Sequence, residues 1–282
     1  MKYLNITLFL LCSTLAGLGH GDMHLQIQEV TKELEKQPRN AALYLKRGEL
    51  FRAHGDMDSA HADLERVAAL DPKMEVLPLA RGRLFYEANW PQSAKIALDY
   101  FIRGHTNHVE ALALRARCLV KMGQRLDGVH DYTRAIAAAA DPQPELYLER
   151  AQALNDEGPD YYPEAVKGLE EGMVKMGPLV TLQLYAIDLE VKQKKYDSAL
   201  SRLDKASAAS PRKETWLARK GEILQTAGRT DQASDAFRAA LNAISQLPDT
   251  RRNVPAMQEL QKRINAVLQA IAKEQSTGKK QS

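Results

Sequence analysis

Apolar and polar residues between positions 45 and 72 alternate with the spacing of two α-helices. The segment reads "LKRGELFRAHGDMDSAHADLERVAALDP", and its apolar residues recur every three or four positions in two separate stripes. Gly55 and Asp56 lie between the stripes, and Pro72 follows the second one. Because glycine and proline interrupt helices, the pattern predicts a helical hairpin.

The same pattern returns along the chain with a nearly constant period. A small residue opens the second predicted helix of each copy, at steps of 34, 34, 37, 34 and 34 residues. These small residues are Ala60, Ala94, Gly128, Ala165, Ala199 and Ala233. Four positions after each one comes a large apolar residue, in order Leu64, Leu98, Tyr132, Leu169, Leu203 and Phe237. A period near 34 residues predicts an array of helical repeats.

This pattern resembles the tetratricopeptide repeat family. The first copy has the family's order of large and small residues, with Tyr44, Gly48, Phe51, Gly55, Ala60, Leu64 and Pro72. The fifth copy departs from it, since Ile187 replaces a small residue and Glu190 replaces an aromatic one. The resemblance covers about residues 41–247. It implies an all-α fold, a right-handed α-solenoid of about six helical hairpins whose first helices line a concave face.

Both ends of the array are predicted to carry a capping helix. Residues 22–37 form the N-terminal one, and residues 249–273 contain the C-terminal one. The array lies between them, at residues 38–248. Residues 274–282 are small and polar, so we expect a disordered tail there.

Residues 1–21 have the pattern of a secretory signal peptide. Lys2 precedes an apolar run from about Leu4 to Leu18, and the small residues that follow allow cleavage after Gly19 or Gly21. The run is shorter than the roughly 20 residues of a membrane-spanning helix, which favours cleavage over an uncleaved anchor. We therefore expect export, to a bacterial periplasm or envelope, without stable membrane insertion after cleavage. The remaining chain has one cysteine, Cys118, for which the apolar surroundings predict a buried packing role.

Charge and motifs narrow the class of function. A net charge of +3 on 282 residues is too small to indicate a nucleic-acid-binding protein. The sequence contains no G-x-S-x-G, Walker, H-E-x-x-H or Cys-x-x-Cys motif. We therefore predict a protein that is not an enzyme, needs no cofactor and binds a protein or peptide.

Histidines near the predicted cleavage sites give a metal-binding alternative. Cleavage after Gly19 would place His20 first, and cleavage after Gly21 would place His24 third. Either arrangement suits Cu(II), whereas the other interpretation is an ordinary polar tail. His105 and His108 have an H-x-x-H spacing, which alone is a weak metal signal.

Members of the family bind peptides at two first-helix positions, one residue after the small residue and three beyond that. The groove residues predicted by this correspondence are Arg83, Tyr86, Arg117, Gln152, Asn155 and Asp188. Arg83 and Arg117 lie on adjacent copies and could hold an acidic segment, with Tyr86 adding apolar contact. In the alternative interpretation, both arginines are solvated surface residues without a binding role, or they pair with Glu87 and Glu110.

Three classes of function remain open at this point. The first is an exported, non-catalytic scaffold that binds a partner in its concave groove. The second is a subunit of an export or envelope-assembly complex. The third is a copper-binding protein that uses the N-terminal histidines.

Overall fold

The computed structural model describes residues 20–208, 210 and 212–278, and every regular element in those residues is helical. The predicted signal peptide and its cleavage sites therefore lie almost entirely outside the described residues. The chain divides into two compact units, with unit one ending at Met122 and unit two beginning at Gly123.

Unit one consists of a single helix, two helical hairpins and the first helix of the third copy. In chain order these are α1 (His20–Lys36), α2 (Ala41–His54), α3 (Met57–Leu70), α4 (Leu77–Glu87), α5 (Pro91–Gly104) and α6 (Val109–Lys121). Helix α1 packs on α2, and α2 pairs with α3 as α4 does with α5. The hairpins predicted for copies one and two are thus present.

Unit two begins with the second helix of the third copy and contains three further hairpins. Its helices are α7 (Arg125–Ala138), α8 (Pro144–Glu157), α9 (Tyr162–Met176), α10 (Val180–Lys192), α11 (Tyr196–Ala208), α12 (Lys213–Thr226), α13 (Thr230–Ser245), α14 (Asp249–Arg252) and α15 (Pro255–Gly278). A short 3-10 turn, Pro159–Tyr161, fills the longer connection between α8 and α9. Hairpins α8–α9, α10–α11 and α12–α13 correspond to copies four, five and six.

The turn inside copy one shows why the chain reverses there. Gly55 has a φ of 88°, a left-handed conformation that glycine adopts without steric penalty, and its N–H bonds the carbonyl of Arg52 at 3.0 Å. Asp56 then caps α3, because its carboxylate accepts the N–H of Ser59 at 3.1 Å. The Gly-Asp pair thus ends one helix and starts the next.

Small residues allow the two helices of a hairpin to pack closely. A Cβ atom added to Gly82 would lie 2.6 Å from Leu98 Cδ2, and one added to Gly221 would lie 2.6 Å from Phe237 Cδ1. The small residues that open the second helices are fully buried at Ala60, Ala94, Ala165, Ala199 and Ala233. The predicted register of small and large positions is therefore the register of the core.

The two helices of copy five also pack closely, but with different side chains at their contact. Ile187 takes the small position and is completely buried, and Glu190 is 3% exposed. The Glu190 carboxylate accepts hydrogen bonds from Ser198 at 2.8 Å and from Arg202 at 2.9 and 3.2 Å. A buried ion pair thus replaces the aromatic packing of the repeat pattern.

A regular series of polar contacts joins successive copies. Arg81 bonds Glu65 at 2.6 Å, Arg115 bonds Asp99 at 2.8 Å and Lys220 bonds Asp204 at 2.8 Å, each 16 residues back on the preceding second helix. We call these contacts, together with two weaker ones to threonine, the joint contacts. The threonine contacts are Arg150 to Thr133 at 3.4 Å and Arg47 to Thr31 at 3.1 Å. Since Thr31 belongs to α1, that helix takes the place of a preceding second helix.

The helices at the two ends differ in length from those predicted. Helix α1 runs from His20 to Lys36 rather than over 22–37, and it buries Ile27, Val30 and Leu34. The segment 249–273, which was predicted to contain the C-terminal helix, holds the short α14 and most of α15. Pro255 is the first residue of α15, where its missing N–H is tolerated. Helix α15 packs on α13 through Ile264 and nearby apolar residues.

The prediction of a disordered tail over 274–282 is wrong for its first part. Helix α15 continues to Gly278, because the segment from Ala272 to Gln275 contains only strong helix formers and no proline. Residues 279–282 lie outside the described part of the chain.

Candidate functional site

The six predicted groove residues lie on first helices, as the repeat register requires. Those in unit one are Arg83 and Tyr86 on α4 and Arg117 on α6. Those in unit two are Gln152 and Asn155 on α8 and Asp188 on α10. Within unit one α4 contacts both α2 and α6, and within unit two α8 contacts α10, so first helices of neighbouring copies are adjacent.

Arg83 forms a two-pronged ion pair with Glu110 of α6. Its Nε lies 2.5 Å from Glu110 Oε1 and its Nη2 lies 2.7 Å from Oε2. The hydrogen bond to Glu110 raises the pKa of Arg83, against the opposing effect of burial. Burial would raise the pKa of Glu110, but the hydrogen bond and charge of Arg83 hold it below its ordinary value. The pairing that the sequence left as an alternative is therefore present for Arg83.

This ion pair belongs to a chain of alternating charges across three first helices. Arg83 Nη1 lies 3.4 Å from Glu49 of α2, and Glu49 lies 2.8 Å from Arg52 Nη2. Arg52 in turn bonds Glu87 of α4. We call the row Glu87, Arg52, Glu49, Arg83 and Glu110 the unit-one charge row. It joins α2, α4 and α6, and it includes Arg83, one of the residues predicted to bind a partner.

Tyr86 and Arg117 lie beside the unit-one charge row. Tyr86 is half-buried, and the Lys121 ammonium lies 4.3 Å from its ring centroid, in a cation–π contact. Arg117 is half-buried on α6, one turn before Lys121. Arg117 therefore shares a helix face with the lysine that covers Tyr86.

The predicted residues of unit two have close polar partners of their own. Asn155 accepts a hydrogen bond from Lys192 at 2.6 Å, and Gln152 is exposed. Asp188 pairs with Arg219 of α12, which also lies 2.9 Å from Glu222. Sequence reasoning missed Lys192 and Arg219, although both lie within one helical turn of the predicted positions.

A groove in unit one contains none of the predicted residues. Its volume is about 1150 Å³, and it is lined by residues of α3, of the connection from α3 to α4, of α4 and of α5. We call it the α5 groove and define it by its apolar wall, which consists of Met74, Leu77, Phe85, Ile96 and Tyr100. The sequence signal for it was present, since Ile96 and Tyr100 are large apolar residues on the outer face of α5.

The described residues contain no metal-type cluster of three or more histidine, cysteine or acidic side chains. His24 is exposed on α1 and bonds Gln28 at 3.1 Å, and the side chain of His20 lies outside the described set. The copper hypothesis stays a prediction. His105 stacks on Phe101 with ring centroids 4.2 Å apart, and His108 meets the same ring edge-on at 5.0 Å.

Cys118 is fully buried, as its apolar surroundings predicted. Burial raises the pKa of its thiol to about 11, so it remains protonated near neutral pH. Among the described helices, none is both long enough and apolar enough to cross a membrane.

Comparison with known proteins gives the same fold. A family model described as a tetratricopeptide repeat-like domain matches residues 167–267. No curated protein matches the chain in sequence. A tetratricopeptide repeat protein from Parabacteroides merdae is 17% identical with a TM-score of 0.54, and the match covers 86% of this chain and 93% of that one.

Two further solved structures extend the comparison. The C-terminal part of a repeat-containing protein from Cytophaga hutchinsonii is 13% identical with a TM-score of 0.66, over 80% of this chain and 92% of that one. Pseudomonas aeruginosa pilF is 14% identical with a TM-score of 0.50, over 84% and 99% respectively. At these identities the likeness shows the fold alone. The matched family model over residues 167–267 and the repeat register of the core agree with this fold, which is that of tetratricopeptide repeat structures.

Proposed function

We propose that this protein is a non-catalytic scaffold that binds a partner protein or peptide on its first helices. The observation that carries the proposal is the unit-one charge row, which brings polar side chains of three successive copies into one continuous series. A series of this kind offers a peptide several charged contacts in register with its length.

The charge row contributes little to folding, which leaves it available for binding. The side chains of Arg83 and Glu110 are 27% and 48% exposed, and such partly exposed ion pairs contribute about 0–1 kcal/mol. A carboxylate of the partner can therefore replace Glu110 on Arg83 at small cost. Tyr86 lies on the same helix, one turn beyond Arg83, and offers apolar contact.

The test is capture of the native partner by cross-linking and mass spectrometry. We expect Arg83→Glu with Arg117→Glu to abolish capture, because both changes put negative charge where the partner is acidic. Glu110→Gln should strengthen capture, because it removes the internal competitor for Arg83. The matched control is Lys175→Glu with Lys205→Glu, two exposed lysines of α9 and α11. Capture that survives the double change at Arg83 and Arg117 would contradict the proposal.

We also propose that the protein is exported, with the periplasm or envelope as its destination. Support comes from Lys2, the apolar run that follows it and the glycines at 19 and 21. N-terminal sequencing of the protein from its native cells should give a chain that begins at His20 or Asp22. Replacement of Leu10 by arginine should leave the chain unprocessed, and processing of that variant would contradict the proposal.

The partner assay also separates the scaffold from the second class of function. If the protein co-purifies stably with several membrane components, it is a fixed subunit of an export or envelope-assembly complex. If one partner is captured and released by competing peptide, it is a scaffold with exchangeable clients.

A further inference from the structure

The α5 groove is formed by residues that have no counterpart in the other copies. Ile96 lies two positions after the small residue that opens its helix, where the other copies have Ala62, His130, Lys167, Ser201 and Asp235. Tyr100 lies six positions after it, where the other copies have Arg66, Arg134, Glu171, Lys205 and Ala239. Only the second copy therefore has large apolar side chains at both outer positions.

These two side chains are largely open to solvent. Ile96 is 61% exposed and Tyr100 is 66% exposed, although they lie on a well-packed helix. Nearby Trp90 is 54% exposed, with its ring centroid 5.9 Å from that of Phe85 in the groove wall. Exposed apolar side chains that line one groove, as Ile96 and Tyr100 do, mark a site of interaction.

The arrangement of side chains on the groove wall favours a helix of a macromolecule as the ligand. Ile96 and Tyr100 form an i, i+4 ridge on α5, and Ser93 and Ala97 form a parallel row of small residues beside it. A ridge next to a row of small residues is the surface that another helix packs against.

The charges around the groove define the character of that helix. The carboxylates that line it are already engaged, Glu65 by Arg81 at 2.6 Å and Glu75 by His105 at 2.8 Å. Lys73 and Arg103 also line the groove, and neither forms an ion pair within the described part of the chain. Lys73 and Arg103 therefore give the groove positive charges that complement a negatively charged partner.

We propose that the α5 groove binds an acidic amphipathic helix of a partner protein. The apolar side of that helix packs on Ile96, Tyr100 and Met74, and acidic residues at its edges pair with Lys73 and Arg103. This proposal rests on the scaffold function above but assigns this ligand to a surface separate from the unit-one charge row.

The experiment measures binding of a designed probe to the full chain by fluorescence anisotropy. The probe is a labelled amphipathic helix of about 16 residues, about 24 Å long, with leucine on one face and glutamate on the other. A second probe carries lysine at every glutamate position. We expect the acidic probe to bind more tightly than the basic one, with an affinity that falls as salt is added.

Variants of exposed residues locate the site without disturbing the fold. Ile96→Ser with Tyr100→Ser should weaken binding of the acidic probe by about tenfold or more, whereas Val174→Ser, at an 88% exposed position on α9, should not. Lys73→Glu with Arg103→Glu should reverse the preference between the two probes. Lys175→Glu with Lys205→Glu is the matched control. Unchanged melting temperatures establish that each variant is folded.

Several outcomes would overturn the proposal. These are equal binding of both probes, binding that is insensitive to the groove variants, and self-association of the chain that Ile96→Ser with Tyr100→Ser abolishes. A peptide of residues 4–18 is a further probe. If it binds the natural chain independently of salt, and if Ile96→Ser with Tyr100→Ser abolishes that binding, the groove belongs to the chain's own N-terminal segment. Capture of the native partner that depends on Arg83 but not on Ile96 or Tyr100 would leave the scaffold in place and reject this site.

Discussion

Gly82 shows how closely the two helices of a copy approach one another. A Cβ atom there would lie 2.6 Å from Leu98 Cδ2 and 2.7 Å from its Cγ, and Leu98 is completely buried. We expect Gly82→Ala to destabilise the protein, because an overpacking cost of about 1–3 kcal/mol exceeds the helix-forming gain of about 0.5–1 kcal/mol. Thermal unfolding should show a lower melting temperature.

The matched control for this change is Gly104→Ala at the end of α5. A Cβ atom at Gly104 would have no neighbour within 4 Å, so the same substitution adds no overlap. We expect no loss of stability from it. Equal effects at the two glycines would mean that the helix crossing is not where the sequence register puts it.

His108 makes part of the stability depend on pH. Its Nδ1 accepts the N–H of Ala111 at 3.2 Å and so caps α6, which requires the neutral ring. Burial lowers the pKa of His108, the charges of His105 and Arg83 act in the same direction, and Glu110 opposes them. The folded protein therefore protonates His108 less readily than the unfolded chain does. The contribution of neutral His108 to the free energy of unfolding is present above about pH 6.5 and is lost as pH falls through the lowered pKa.

Replacement of His108 by asparagine tests this dependence. Asparagine caps a helix at any pH, so urea unfolding at about pH 7 and about pH 5 should differ less in His108→Asn than in the natural protein. His130→Asn, at a side chain that is 73% exposed, is the control and should leave the difference unchanged. An unaltered difference in His108→Asn would assign the pH effect to other groups.

At the scale of an element, the ion pair of copy five is a substitute for apolar packing between α10 and α11. Glu190→Leu alone should destabilise unit two by up to about 3 kcal/mol, because Arg202 then keeps only its half-exposed partner Glu170. Glu190→Leu with Arg202→Leu should recover most of that loss, since apolar residues can fill a buried seam.

Urea unfolding of both single variants and the double variant completes this test. Recovery in the double variant shows that the pair is energetically coupled. A double variant that loses the sum of both single losses would mean that the two charges act separately.

At the scale of the whole molecule, each copy depends chiefly on its neighbours. Truncation after Met176, at the end of α9, removes copies five and six but leaves every contact between earlier neighbours. We expect the shortened chain to keep nearly the same helical circular dichroism per residue, with a lower melting temperature. Complete loss of the helical signal would show that folding requires the full array.

The fold was predictable from sequence because one periodic rule covers nearly all of it. Small and large residues at fixed steps determine which helices pair, and Ala60 and Leu64 are buried as that rule requires. The ion-pair partners of long side chains follow no such rule. The sequence therefore indicated the pairing of Arg83 with Glu110, 27 residues away, only as one of two alternatives. Ile96 and Tyr100 were missed because they lie at outer positions of α5, to which the rule for the buried contact between helices assigns no role.

The regular spacing of the joint contacts, 16 residues in four of the five, also bears on how such a gene can change. Because Arg81 and Arg115 meet the preceding copy in the same way, an in-frame duplication of one copy would recreate a working joint at both of its borders. Copy five is an exception, since Ala186 replaces the basic residue and Arg202 reaches Glu170 instead. Unequal recombination can therefore add or remove one of the early copies. Copy five can be gained or lost only together with copy four, whose Glu170 it contacts.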